Sequence, residues 1–172
     1  MLPINDRYFL SEITANDTAA YVMHFSDSTI HENLLLVPSP YTSEDAYWWI
    51  NHVHSDPLRL QTNRAIRDSS GFLVGAIGVV GKFDPNSHEA EFGYWLSAQA
   101  RGQGLMTQTI QTFMQYLFET FQVERFIATP FAHNKTSQRV LEKAGFTQEP
   151  EARIVLQKNR KNIDAVVYSR IR

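Results

Sequence analysis

The stretch GYWLSAQARGQGLMTQTI, residues 93–110, reads as an apolar strand, a glycine-studded turn and the opening of a helix. Glycine permits positive φ and lets another molecule come close to the backbone. The first turn of a helix offers N–H groups without intrahelical partners and a partial positive charge. Arg101 adds a full charge and a fork of donors. Such a turn suits a phosphate, and it is also the make of an ordinary structural turn. Two phosphate motifs fail on spacing. A Walker loop needs Lys and then Ser or Thr after its second glycine, whereas Leu105 and Met106 follow Gly104. A dinucleotide fingerprint needs a third glycine in a parallel βαβ setting, and the sequence upstream is hairpin-like instead.

Outward from this stretch the chain alternates between short strand-like and helical segments. RYFLSEI is a candidate first strand, and NDTAAYVMHFSD a helix starting near Asn16 or Asp17. After the extended PSPY loop, TSEDAYWWINHVHSD has Thr42 or Ser43 as N-cap and acids in its first turn. LQTNRAIR and FLVGAIGVV read as strands joined by the turn DSSG, and HEAEFGYWLS as a third. Met106, Ile110, Phe113, Met114, Leu117, Phe118 and Phe121 recur at helical spacing. VERFIATP is a short strand, and NKTSQRVLEKAGF a helix stopped by Gly145 with Phe146 folded back. EARIVLQ and DAVVYSRI form a last hairpin about KNRKN. The expected order is β-α-α-β-β-β-α-β-α-β-β. That is a mixed α/β, α+β-like single domain over 1–172, with a mostly antiparallel twisted sheet of about seven strands, about four helices and one crossover helix.

Composition narrows the function. A net charge of −2 argues against broad nucleic-acid binding. The absence of cysteine removes thiolate metal sites and a cysteine nucleophile. No signal-peptide layout or membrane-length apolar run is seen, so a cytoplasmic protein without membrane contact is expected. His52 and His54 stand two apart on a helix, which turns their rings away from each other, so no metal site is expected. Trp48 and Trp49 are adjacent, so at most one points into the core. Phe9, Tyr21 and Phe25 read as core.

RGQGLM resembles the pyrophosphate loop of the GNAT acetyltransferases: Arg or Gln, two residues, Gly, one residue, then Gly or Ala. Met106 departs from it at the last place. PSPYTSEDAYWWI, AEFGYWLSAQARGQGLMTQTI, NKTSQRVLEKAGF and KNIDAVVYSRIR are similar, in that order, to the RimJ/RimL-type branch. The resemblance implies acetyl-CoA as co-substrate, no metal, and direct transfer of acetyl to a primary amine. A protein N-terminal amine such as that of a ribosomal protein is the implied acceptor, with polyamines, amino acids or aminoglycosides as rivals. A non-catalytic CoA-binding regulatory module is the alternative. The implied cofactor residues are Trp95, Leu96 and Ser97 along the strand, with the N–H of Leu96 as oxyanion donor. Arg101, Gly102, Gln103, Gly104, Leu105, Met106 and Thr107 would then hold the pyrophosphate. Asn134 would cap its helix and bind the pantetheine arm.

For a base, Glu89 and Glu91 share a face with Gly93 and Trp95 by the period of two. Glu91 is preferred, acting directly or through water, with a solvent-facing strand acid as the alternative. Leu141 stands where some family members carry an acidic tyrosine. Ser137, one turn earlier, resembles the RimL-like serine beside the sulfur, and could also be a plain surface serine. Lys135 and Arg139 could meet the CoA 3′-phosphate or be solvated charges. Segments 17–26, 27–42 and 43–55 and the last hairpin would shape the acceptor site, where Asp27, Glu32, Glu44 and Asp45 could attract a cationic amine or serve as helix charges. Sheet edges and the hairpin leave a homodimer open without demanding one.

Overall fold

The computed structural model describes the backbone of residues 1–172 and all side chains except those of 151–153. In chain order it comprises strands β1 (Leu2–Asn5) and β2 (Tyr8–Ser11), then helices α1 (Thr18–Phe25), α2 (Ser28–His31), α3 (Ser43–His54) and α4 (Pro57–Thr62). Strands β3 (Asn63–Asp68), β4 (Leu73–Val79) and β5 (Glu89–Leu96) precede α5 (Leu105–Phe121), β6 (Arg125–Ala128) and α6 (Lys135–Lys143). β7 (Thr147–Lys158) and β8 (Lys161–Ile171) close the chain. The eight strands form one sheet in the order β1-β2-β3-β4-β5-β6-β8-β7. Its pairs are antiparallel except β5–β6, which α5 connects as the crossover.

Five features differ from the sequence reading. The first strand is half of a hairpin, because Leu2–Asn5 pairs with Tyr8–Ser11 as an outer strand able to hold Pro3. α1 starts from Asp17 as its N-cap, as expected, but a 3-10 turn at Ala15–Asp17 capped by Thr14 precedes it. α2 is a single turn whose cap, Asp27, accepts the Thr29 N–H at 2.9 Å. Leu60–Thr62 is helix rather than strand, since Asp56 caps α4 and Pro57 occupies its first position. Phe9, expected in the core, is only half-buried; Leu10 beside it is the buried residue.

Strong local signals produce the elements that frame the site. Thr42 and Asp45 make a reciprocal capping box at the start of α3. At the end of α6, the Phe146 N–H reaches Leu141 O and the Gly145 N–H reaches Glu142 O, both at 3.0 Å. This is a Schellman stop with Gly145 at φ +85°. On α5, Met106, Ile110, Phe113, Met114 and Leu117 are buried, while Phe118 and Phe121 are half-exposed at the rim. The sheet separates two cores. One, with Ile66, Phe92 and Leu96, lies under α5 and α6. The other, with Tyr21, Phe25, Ile50 and Trp95, lies under α1 and α3. No described helix is long and apolar enough to cross a membrane.

α1 is fixed to the sheet by a buried ion pair. Arg67 donates to both carboxylate oxygens of Asp17, at 2.7 and 2.8 Å, and the two side chains are 11% and 5% exposed. Removing one partner leaves the other charge buried, so Asp17→Asn is expected to lower stability by about 3 kcal/mol. Urea unfolding should show a lower midpoint at an unchanged slope.

Candidate active site

β5 and β6 pair as parallel neighbours only at Glu89, Ala90 and Glu91, opposite Arg125, Phe126 and Ile127. Beyond Glu91, β5 runs on to Leu96 while β6 ends at Ala128, bonded to β8. The sheet therefore opens into a fork. Pairing parity decides which groups face it. The Ser97 N–H donates to Val74 O and the Val80 N–H to Glu91 O, both at 2.8 Å, and no register shift interrupts β4–β5 between them. Odd-numbered residues of β5 thus direct their N–H and C=O toward β4, and even-numbered ones toward the fork. The N–H groups of Tyr94 and Leu96 face the opening, two residues or about 7 Å apart.

This parity corrects the sequence reading of the strand. Leu96 does present its N–H to the fork. The N–H groups of Trp95 and Ser97 are taken up by β4, and both residues are buried, so neither offers a strand-edge donor there. Trp95 instead anchors the opposite face, with ring centroids 5.0 Å from Phe25, 5.4 Å from His24 and 5.7 Å from Tyr21.

The turn after β5 is built as the glycines imply. Gly102 and Gly104 have φ of +79° and +76°, and a Cβ at either would meet nothing within 4 Å, so their role is conformational and their surface open. Gly104 immediately precedes α5, whose first closing bond is the Gln108 N–H to Gly104 O at 3.2 Å. The N–H groups of Leu105, Met106 and Thr107 lie ahead of that bond and are free of intrahelical partners. The side chains of Leu105 and Met106 point into the core, 2% and 6% exposed. Met106 is therefore compatible with the loop: its side chain is turned into the core and leaves the open face of the turn to backbone. Gln103 turns toward the β1–β2 hairpin, accepting from Arg7 Nη2 at 3.0 Å.

Arg101 departs from the simple expectation of a phosphate-facing cation. Its Nε donates to Leu96 O at 3.0 Å and its Nη1 to Thr29 Oγ1 at 2.9 Å, with Asp27 at 3.8 Å. The guanidinium thus joins the end of β5 to α2. Hydrogen bonds from Thr29, with the Arg101 charge behind them, hold the Asp27 carboxyl below its ordinary range. Two further contacts hold the same segment. His133 Nε2 meets Asn33 Oδ1 at 3.2 Å, and Lys158 from the last hairpin donates to His31 O and Leu34 O. Burial pulls the Lys158 ammonium below its ordinary value.

Of the two carboxylates, Glu89 forms an ion pair with Arg125, which also binds Glu149. Glu91 is exposed and makes no side-chain hydrogen bond or ion pair among the described residues. It lies at the closed end of the fork, opposite Ile127 in the last β5–β6 pair, and on the α1/α3 face, since it alternates with buried Phe92 and shares Trp95's side. Ser137 approaches from the opposite face, on α6. Its N–H is capped by Asn134 Oδ1 at 3.1 Å, and its Oγ lies 2.8 Å from the Tyr94 hydroxyl. Asn134 keeps its amide NH₂ clear of that cap. Lys135 is turned onto Gln138 Oε1 at 3.1 Å, and Arg139 is exposed.

Tyr94 is the residue that sequence reasoning missed. Its phenol is pushed up to about 12 by burial, against the lowering effect of the Ser137 hydrogen bond. The period of two already placed it opposite Glu91's face; what the sequence lacks is the contact across 43 residues to α6. The histidines of α3 part company as expected, His52 stacking on Trp48 and His54 bonding Ile13 O at 2.7 Å. Trp49 turns inward to Tyr21 and Trp48 stays exposed. No group of three or more metal-binding side chains occurs among the described residues. Asp27 caps α2, and Asp45 completes the α3 capping box by accepting the Thr42 N–H.

Comparison with known proteins fits this geometry. The chain matches the Acetyltransferase (GNAT) domain over residues 7–147. YdaF of Bacillus subtilis (strain 168), provisionally named a ribosomal N-acetyltransferase, is 32% identical over 99 residues, 58% of this chain and 54% of that protein. The ribosomal-protein-serine acetyltransferase of Escherichia coli (strain K12) is 30% identical over 77 residues, 45% of this chain and 42% of its own length. The chain thus spans about half the length of the curated relatives it matches. The structure of RimL, a ribosomal L7/L12 alpha-N-protein acetyltransferase in complex with coenzyme A, aligns with a TM-score of 0.86 at 20% identity. The alignment covers 99% of this chain and 97% of that one, and at this identity the likeness is one of fold.

Arg101→Ala removes the tie between the glycine turn and α2. Amide exchange across residues 28–34 is expected to quicken while that of α5 stays unchanged, as followed by hydrogen–deuterium exchange.

Proposed function

Because the chain belongs to the GNAT acetyltransferase family, we propose that it moves the acetyl group of acetyl-CoA directly onto a protein N-terminal α-amine. The observation that carries this reading is the fork between β5 and β6, opening beside a positive-φ glycine turn at the start of α5. An extended chain with amides and an anionic end fits such a place: strand-edge donors for the amides, helix-start donors for the anion. The residues present fit acetyl-CoA in that sense, and its thioester supplies the activated acyl group.

The order along β5 sets the direction. The pyrophosphate end belongs at residues 101–107, so the acyl end lies deeper, toward the closed end of the fork. Of the two amides facing the fork, that of Tyr94 is the deeper, three residues or about 10 Å from Glu91; Leu96 is about 16 Å away. We therefore assign the thioester oxygen to the Tyr94 N–H and a pantetheine carbonyl to that of Leu96. Glu91 takes the proton from the incoming ammonium, through water over that distance. The acceptor enters from the α1/α3 face, and Ser137 attends the sulfur from the other. The acceptor class follows the relatives named for ribosomal proteins, and Glu91, exposed at the closed end of the fork and unpaired among the described residues, suits a cationic chain end.

Glu91→Gln tests the base. With a peptide acceptor at pH 7, kcat/KM is expected to fall roughly 10²–10³-fold. The deficit should shrink above about pH 9, where an α-amine with its ordinary pKa of about 8 is already neutral. An equal deficit at both pH values would rule out proton acceptance. Tight acetyl-CoA binding with no thiol release for any peptide or small amine would instead favour a non-catalytic CoA-binding module.

A further inference from the structure

We infer that Tyr94 is a positioning residue for the leaving sulfur, its phenol donating to Ser137 Oγ so that the serine's own hydrogen is turned into the fork. The inference rests on the acetyl-transfer reading above and adds a residue to it.

The geometry is asymmetric in a useful way. The Tyr94 hydroxyl oxygen lies 2.8 Å from Ser137 Oγ and 3.3 Å from Ser137 O. Only the first falls in the ordinary O–H···O range. A phenol is the stronger acid and so the better donor, while a serine hydroxyl has one hydrogen and two lone pairs. Once the phenol hydrogen occupies one lone pair, the serine hydrogen has no return path to Tyr94 and must find another acceptor. Asn134 Oδ1 is already engaged by the Ser137 N–H at 3.1 Å. A sulfur in the fork is the acceptor the proposed reaction supplies.

Burial keeps this orientation. With its phenol pushed up to about 12, Tyr94 stays protonated across the range in which an α-amine is neutral. The same shift makes Tyr94 a poor proton source, since a thiolate whose thiol has a reference value of about 8.5 is a weaker base than the Tyr94 phenolate. The step balances without one. One ammonium proton goes through water to Glu91, the freed amine lone pair forms the C–N bond, the C–S pair leaves with sulfur as thiolate, and the second N–H proton passes from the tetrahedral nitrogen to solvent water. The thiolate is held by the Ser137 hydroxyl until water protonates it. Polarisation along Tyr94 O–H to Ser137 O–H strengthens the last donor. One residue thus serves both ends of the breaking bond, its N–H facing the acyl oxygen and its phenol aligning the serine.

The test reads the bound thiol rather than turnover. CoA is titrated with pH on wild type, Tyr94→Phe, Ser137→Ala and the double variant, following thiolate ultraviolet absorbance. Thermal melts check that each variant is folded. The bound thiol is expected to ionise at lower pH than free CoA on the wild type. Each single variant should move it back up by on the order of one pH unit, and the double variant no further than either single. Ser137→Thr, which keeps the hydroxyl, should restore the wild-type value. If Tyr94→Phe titrates like wild type while Ser137→Ala does not, or if the single shifts add in the double variant, the inference is overturned. Failure of the wild type to bind CoA would overturn the cofactor reading and this inference together. CoA binding with the expected shifts but no amine acetylated would sink only the transfer reading.

Discussion

Everything at this site depends on a parallel pairing that stops early. β5 and β6 share three residue pairs and then diverge. A parallel ladder normally satisfies both strands to their ends, and an unpaired N–H in a sheet interior is costly. The fork is maintained because β6 is short and bonded on its other side to β8, while β5 is held along its other edge by β4. Each strand has one satisfied edge and one free edge at the opening. A ligand with alternating amides can restore part of the missing ladder, sharing Leu96 O with the Arg101 guanidinium that already donates to it.

The two faces of β5 then divide the work. The odd-numbered side chains meet α1 and α3, where Trp95 sits among Tyr21, His24 and Phe25. The even-numbered ones meet α5 and α6, where Phe92 and Leu96 join the larger core and Tyr94 reaches Ser137. Because successive side chains alternate, Glu91 and Tyr94 are forced to opposite faces. A single strand thereby brings a carboxylate to one side of the fork and a hydroxyl pair to the other.

Much of this was readable in the residues. α3, α5 and α6 announce themselves through Thr42, the apolar spacing from Met106 to Leu117, and the pair Asn134 and Gly145. Each of these is a local signal with a local cause. The short elements were not legible, since four residues at α2 or β1 carry too little periodicity to distinguish them from loop. The cap and first-position proline of α4, Asp56 and Pro57, are a local signal that the sequence reading passes over, running the strand back from NRAIR to Leu60. Within the site, Glu89 is engaged by Arg125, a partner 36 residues away that no local pattern announces, whereas Glu91 has none among the described residues. The choice between the amides of Tyr94, Trp95, Leu96 and Ser97 rests on the register of β4, which no residue of β5 encodes. Arg101 was found by its motif, but the direction of its side chain follows from where α2 docks.

The short segment at 27–34 is tethered from three separate parts of the chain: Arg101 before α5, His133 before α6, and Lys158 at the tip of the last hairpin. Such a segment cannot be lengthened, shortened or exchanged as an independent loop. Any attempt to graft a different loop onto this scaffold must carry the hairpin with it, because Lys158 sits at the end of two long strands whose length sets where its ammonium arrives. The interchangeable module is the loop and hairpin as a pair, separated in sequence by more than a hundred residues.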